Sequence, residues 1–166
     1  MTALVPDEVN LATHRRLAVF LFNRSWELML TAGRSAAQDD ELVHTVHASA
    51  YHWRRFGGTA ANLARGENQC ARVYAALGRG EAALHHAKRC LELVQAGGDE
   101  LEDWDLPSAP EVTARANLAA GHRDTALEFA NRAREALRVV ANLEDREVIA
   151  SQLAELLLLP EGGAIG

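Results

Sequence analysis

Three glycines at nearly equal spacing divide this chain into units that share one helical pattern. Gly78 follows Gly33 by 45 residues, and Gly121 follows Gly78 by 43 residues. On both sides of Gly78 and of Gly121, apolar residues recur at spacings of three and four, which is the period of an amphipathic helix. A repeat of this length built from helix–turn–helix units indicates an α-solenoid, in which each hairpin buries its apolar face on the next.

The glycines, prolines and capping residues predict where the helices begin and end. Gly33 is expected to end the first long helix, because glycine accepts the left-handed backbone that terminates helices. Thr59 and Asn142 are expected to cap the helices that follow them, because their side-chain oxygens accept hydrogen bonds from free backbone N–H groups. The third hairpin is expected to start near Pro107 or Pro110, since proline is compatible only with a first helical turn.

The residues around the second and third turns resemble the tetratricopeptide repeat (TPR) family. The family's order of aromatic residue, turn glycine, packing alanine and small residue is found at Tyr74, Gly78, Ala83 and Cys90. The third hairpin repeats the last three of these at Gly121, Ala126 and Ala133, with Asn117 in place of the aromatic residue. The resemblance implies a scaffold that binds a protein or peptide, with the first helix of each hairpin lining a concave groove.

The predicted fold is therefore all-α: an α-solenoid, or TPR-like array, of about three antiparallel helical hairpins plus a C-terminal capping helix. A single TPR-like helical domain is predicted over residues 1–166. Within it the first hairpin is expected over residues 9–56, the second over 59–97, the third over 107–140 and the capping helix over 142–159. The acidic stretch between the second and third hairpins, residues 97–110, is expected to be the longest irregular segment.

The net charge of −6 disfavours nucleic acid as a partner, because a protein that neutralises phosphates needs a positive field. No apolar run approaches the roughly 20 residues that a membrane span requires, and none resembles the core of a signal peptide. We therefore expect a cytoplasmic location and no membrane partner. Cys70 and Cys90 both fall on apolar helix faces, so both are expected to be buried and reduced, although a facing pair that oxidises is an alternative.

Residues 44–55, HTVHASAYHWRR, form the densest polar cluster and supply the first candidate site. His47, Tyr51 and His52 are its candidate binding residues; the alternative is that the histidines are partly buried in a hairpin interface. Glu41 and His44 have the i, i+3 spacing found in di-metal helix bundles. Such bundles need a second Glu-x-x-His, and the sequence has none. We therefore predict no metal site and no cofactor.

The polar face of the following helix supplies the second candidate site, at Asn62, Arg65, Glu67, Asn68, Gln69 and Arg72. Arg65 and Arg72 are suited to clamp a carboxylate, because planar guanidinium groups bind it in a bidentate manner. The alternative is a solvated polar face. Trp104, within the acidic stretch, is expected either to anchor a partner, as tryptophan often does at interface hot spots, or to fold back between two hairpins.

These candidate sites lead to three functional hypotheses. The first is a non-enzymatic protein- or peptide-binding scaffold that uses the concave face of the array. The second is a small-molecule-binding protein or enzyme with a pocket near His47, His52 and Arg65. No nucleophile elbow, phosphate-binding loop or zinc-ligand cysteine pair in the sequence supports an enzyme. The third is a homodimer whose helices bury against each other. We favour the first, and expect a protein or peptide partner.

Overall fold

The described part of the chain, residues 9–98 and 100–158 of a computed structural model, consists of helices joined by short turns and loops. It contains no strand, so the predicted all-α class is confirmed for these residues. The α-helices are α1 (Leu11–Leu30), α2 (Ala36–Phe56), α3 (Ala60–Ala76), α4 (Gly80–Ala96), α5 (Asp105–Ala119), α6 (Arg123–Ala136) and α7 (Leu143–Leu158). One turn of 3₁₀ helix, Leu137–Val139, extends α6.

Side-chain caps set the starts of several helices. The Thr59 hydroxyl accepts a hydrogen bond from the backbone N–H of Asn62, and the Asn62 side-chain oxygen accepts one from the backbone N–H of Thr59. The Asn142 side chain accepts from the backbone N–H groups of Glu144 and Asp145. Both predicted N-caps are therefore confirmed. In each case a side-chain oxygen satisfies an N–H group that the first helical turn leaves without a partner.

Two helix boundaries differ from the predicted positions. Helix α1 ends at Leu30 with Thr31 as its C-cap, and Gly33, at φ 63°, lies beyond the cap in the turn. Helix α5 begins at Asp105, two residues before Pro107, so the irregular segment before it is shorter than expected and Pro110 lies inside the helix. Asp105 accepts a hydrogen bond from the Glu102 backbone N–H, which closes the turn just before the helix. Pro107 then lies in the first turn, where its missing N–H has no helical partner to lose.

The helices pack in sequential pairs. Helix α1 packs on α2, α3 on α4 and α5 on α6, and successive pairs meet through the contacts of α2 with α3, α4 with α5 and α3 with α5. Helix α7 packs on α5 and α6. The core between α3, α4 and α5 is rich in alanine, at Ala64, Ala71, Ala75, Ala83, Ala87, Ala109 and Ala116. Such small side chains allow the helix backbones to approach closely.

The structure also bears on the two cysteines, on membrane spans and on the last helix. Cys70 and Cys90 are both buried and neither forms a disulfide, as predicted. Among the residues that the structure describes, no helix is both long enough and apolar enough to cross a bilayer. The predicted capping helix includes residue 159, which lies outside the described residues.

Candidate functional site

A cavity of about 240 Å³ lies among helices α1, α3, α5 and α7, and is termed the four-helix cavity. Its polar and charged lining residues are Arg65, Asn68, Arg72, Asp105, Ser108, Asp145 and Gln152. Its apolar lining includes Phe22, Trp26, Trp104, Val148 and Ile149, with Cys90 and Val94 of α4 also contributing. Three sequence-predicted residues of α3, together with Trp104, therefore surround one concave space.

Arg65 is held in the wall of the cavity by partners from the start of α5. Its Nε donates to Asp105 Oδ1 at 3.1 Å, and its Nη2 donates to Asp105 Oδ2 at 2.8 Å. The guanidinium carbon lies 4.2 Å from the ring centroid of Trp104, within cation–π range. Burial opposes the charge of Arg65, but the hydrogen bonds and charge of Asp105 raise its pKa. Trp104 therefore covers a preformed ion pair.

Arg72 is the centre of a buried network that joins three helices. Its guanidinium donates to Asn68 Oδ1 at 3.0 Å within α3, to Glu111 of α5, and to Gln152 Oε1 of α7 at 2.9 Å. Glu111 is fully buried and also accepts from Arg115 at 2.8 Å. Arg115 reaches α7 as well, through the backbone oxygen of Gln152 at 3.2 Å. The network thereby fixes α7 at the edge of the cavity.

These contacts bear on the predicted carboxylate clamp. Asp105 already pairs with Arg65 and Glu111 already pairs with Arg72, so each guanidinium has a carboxylate from its own chain. A carboxylate ligand would have to displace one of these buried partners. Sequence reasoning did not select Asp105 or Glu111, because nothing local links residues that are about 40 positions apart. The surface that remains for a ligand is chiefly apolar and aromatic.

Two other predicted residues of α3 make structural hydrogen bonds, one within its own helix cap and one to α1. Asn62 completes the N-terminal capping box with Thr59. Gln69 is buried, and its amide donates to the backbone oxygen of Phe22 in α1 at 2.9 Å. Neither residue lines the four-helix cavity. Asn68 does line it, while its amide donates to the Ser108 backbone oxygen at 3.2 Å.

The predicted histidine cluster is divided between two places. His52 Nδ1 lies 2.7 Å from His14 Nδ1, and Tyr51 contacts both rings edge-on. Burial, and then the proximity of His14, lowers the pKa of His52. His47 instead bonds through Nε2 to the hydroxyl of Tyr74 at 2.7 Å. His47 and His52 share no partner with Arg65, and neither lines the cavity that contains Arg65.

A buried carboxylate from the predicted polar face of α3 lies beside His47. Glu67 is 3% exposed and accepts from His86 Nδ1 at 2.7 Å, from Arg89 at 3.1 Å and from Arg54. Burial alone would raise the pKa of Glu67, but the His86 hydrogen bond and the arginine charges lower it. Its position on the polar face of α3 was visible in the sequence, whereas its three partners on α2 and α4 were not.

The di-metal spacing at the start of α2 forms no such site among the described residues. Glu41 accepts two hydrogen bonds from Arg24 of α1, at 3.0 and 2.9 Å from Nε and Nη2. His44 is exposed on the same helix. Glu41 therefore serves as the partner of an arginine on the neighbouring helix.

Comparison of the chain with protein-family models, with curated proteins and with solved structures finds no match. No relative therefore contributes to the functional argument. The resemblance to TPR proteins stays a prediction from the residues around the turns.

Proposed function

We propose that this chain is a TPR-like, non-enzymatic scaffold that binds a segment of a protein partner in the four-helix cavity. The observation that carries the proposal is the cavity itself, which lies among the first helices of three successive hairpins and α7. In an array of helical hairpins, such a surface is continuous across the repeats and suits an extended partner.

The order of packing supports the TPR-like arrangement. Each helix packs on its sequence neighbour, and α3 also packs on α5, its counterpart in the next hairpin. The turns after α3 and α5 have the same form, because Gly78 and Gly121 have φ values of 68° and 81°. These left-handed conformations are accessible to glycine at little cost. Ala83 and Ala126 then occupy the same buried position in α4 and α6.

The dimensions and chemistry of the cavity favour an apolar side chain as the anchor. Its volume of about 240 Å³ is below the roughly 300–1,000 Å³ typical of small-molecule sites. Phe22, Trp26 and Trp104 supply aromatic surface, while Arg65 and Arg72 are neutralised by their own carboxylates. We therefore propose that one apolar residue of the partner segment enters the cavity and that the rim contacts its backbone.

A peptide-display selection on the full-length chain tests this proposal. We expect the enriched peptides to share an apolar anchor residue and to bind with one-to-one stoichiometry in fluorescence polarisation. Ser108 lines the cavity, so Ser108→Trp should fill it and abolish binding. Ser151→Trp places the same side chain on the exposed side of α7 and should leave the affinity unchanged.

Thermal melts of both variants show whether either substitution alters folding. Peptides that bind wild type and a folded Ser108→Trp variant equally well would place recognition outside the cavity. Selection that enriches no peptide at all would contradict the proposed function.

A further inference from the structure

Three side chains with metal-ligating atoms converge from three different helices. His47 belongs to α2, Cys70 to α3 and His86 to α4. One ring nitrogen of each histidine and the Cys70 Sγ all lie within 4.8 Å of one another. Cys70 is 1% exposed, whereas His86 is partly exposed, so the cluster lies close below the surface.

The spacing of these atoms is close to what a tetrahedral ion requires. Zinc binds imidazole nitrogen at about 2.0–2.1 Å and thiolate sulfur at about 2.3 Å, so donor atoms around it are about 3.3–3.6 Å apart. The three donors in this cluster need to close by about 1 Å to meet those lengths. The three side chains therefore have to rotate toward an ion as it binds.

Both histidine rings are already oriented by other groups. Glu67 Oε2 lies 2.7 Å from His86 Nδ1, which leaves Nε2 of His86 as the ligating atom. A carboxylate behind a histidine is the outer-shell partner found in many zinc sites, where it fixes the ring and raises its basicity. The Tyr74 hydroxyl bonds His47, and the Tyr74 ring stacks on His86 with an interplanar angle of 8°.

We propose that His47, Cys70 and His86 bind a transition-metal ion, and that Zn²⁺ fits this set of two nitrogens and one sulfur best. The Cys70 thiol gives up its proton to solvent as the sulfur–metal bond forms, since a thiolate is the ligating species. Three protein ligands leave a fourth tetrahedral position for water or an external ligand. This site differs from the Glu41 and His44 pair, and it departs from the sequence-based expectation of no metal.

The proposed metal site is separate from the four-helix cavity. On α3 the cavity uses Arg65, Asn68 and Arg72, whereas the metal site uses Cys70 and its neighbour Glu67. At about 100° of rotation per residue these two sets lie on different faces of the helix. Loss of metal binding and loss of peptide binding are therefore separate outcomes.

Metal titration of the tag-free, full-length chain tests the site. After removal of metals with a chelator, the protein is dialysed against buffered Zn²⁺ and its metal content is measured by mass spectrometry. We expect one Zn²⁺ per chain and a rise in the thermal midpoint. With Co²⁺ we expect the visible bands of a tetrahedral ion and a thiolate-to-cobalt charge-transfer band. A chain that retains no zinc at micromolar free Zn²⁺ overturns the proposal.

Paired variants locate the ion. Cys70→Ser should abolish the charge-transfer band, while Cys90→Ser, which removes a second buried thiol, should retain it. His86→Ala should abolish tight binding, while His85→Ala at the neighbouring exposed position should not. Circular dichroism establishes that each metal-free variant is folded. A folded Cys70→Ser variant with the wild-type Co²⁺ spectrum overturns the assignment.

A further variant tests Glu67 as a positioning residue. Glu67→Gln keeps the shape of the side chain but weakens its hydrogen bond to the His86 ring. We expect about 10–100-fold weaker Zn²⁺ binding, with the thiolate-to-cobalt band still present at saturation. Unchanged affinity in this variant would contradict the role assigned to Glu67.

Discussion

Gly80 provides a sharp test of how the second and third hairpins pack. It is the first residue of α4 and lies against the end of α5. A Cβ atom added at Gly80 would lie 2.5 Å from Ala120 Cα, 2.6 Å from Ala120 N and 2.7 Å from the Ala119 carbonyl carbon. All three are backbone atoms, so no side-chain rotation relieves the overlap. Gly80→Ala therefore forces the two helix ends apart.

The expected loss of stability follows from the distance by which the two backbones must separate. Carbon atoms in contact normally lie about 3.5–4.0 Å apart, so the backbones must separate by about 1 Å. Overpacking of this kind typically costs about 1–3 kcal/mol, and we expect the upper part of that range because the obstacle is main chain. Replacing glycine in a helix regains at most about 0.5–1 kcal/mol. The net loss is then about 2 kcal/mol, or about 4–8 °C in thermal midpoint for a chain of this length.

Gly66→Ala is the matched control. Gly66 lies within α3, and its added Cβ would be 3.9 Å from Ala50 Cβ, an ordinary contact. We expect this variant to gain about 0.5–1 kcal/mol, because alanine favours the helix interior more than glycine does. Thermal and urea melts followed by circular dichroism measure the stability of both variants. If Gly80→Ala is as stable as Gly66→Ala, the close approach of α4 to the end of α5 is wrong.

Four further predictions concern buried charge, pH, thiol reactivity and assembly. Glu111→Gln should lower the free energy of unfolding by about 3 kcal/mol or more, because it leaves Arg72 without its buried carboxylate. The pKa of His52 is lowered by burial, so its protonation favours the unfolded chain. Stability from His52 is thus present above about pH 6.5 and lost as the pH falls, and the thermal midpoint should be lower at pH 5.5 than at pH 7.5. Burial raises the pKa of Cys70 and Cys90 to about 12, so iodoacetamide at pH 8 should label both only after unfolding, as read by mass spectrometry. The homodimer expected as one alternative should give a doubled mass in light scattering at micromolar concentration.

Each of these predictions has a control or a contrary result. Glu92→Gln removes an exposed carboxylate near Lys88 and should change stability by less than about 0.5 kcal/mol. His52→Gln should reduce the pH dependence of the midpoint, whereas His44→Gln at an exposed position should not. Rapid labelling of the native thiols would show that α3 and α4 open readily. A monomeric mass would remove the homodimer.

Local sequence signals predicted the helices, two of their capping residues and the burial of the two cysteines. Thr59 and Asn142 were recognisable as caps because a capping side chain bonds backbone only two or three residues away. The burial of Cys70 and Cys90 followed from their phase on the apolar stripe. The start of α5 lies two residues before Pro107, because the Asp105 side chain closes the preceding turn.

The residues that form the two sites were harder to predict from the sequence than the helices were. Arg65, Asn68 and Arg72 share a helix face, so their common position beside one cavity is consistent with their spacing. The aromatic residues opposite them, Phe22 and Trp26, come from α1, more than 35 positions earlier in the chain. No local pattern indicates that contact.

The sequence by itself determined most of where this chain is helical and which helix faces are apolar, because these properties arise from interactions within about four residues. Only the tertiary structure decided which carboxylate forms an ion pair with Arg65 or Arg72. It also decided that His47, Cys70 and His86 lie close together. Such contacts between helices depend on the crossing angle and axial register of the packed helices. A shift of one turn, about 5.4 Å, would separate every one of these pairs while leaving the sequence pattern unchanged.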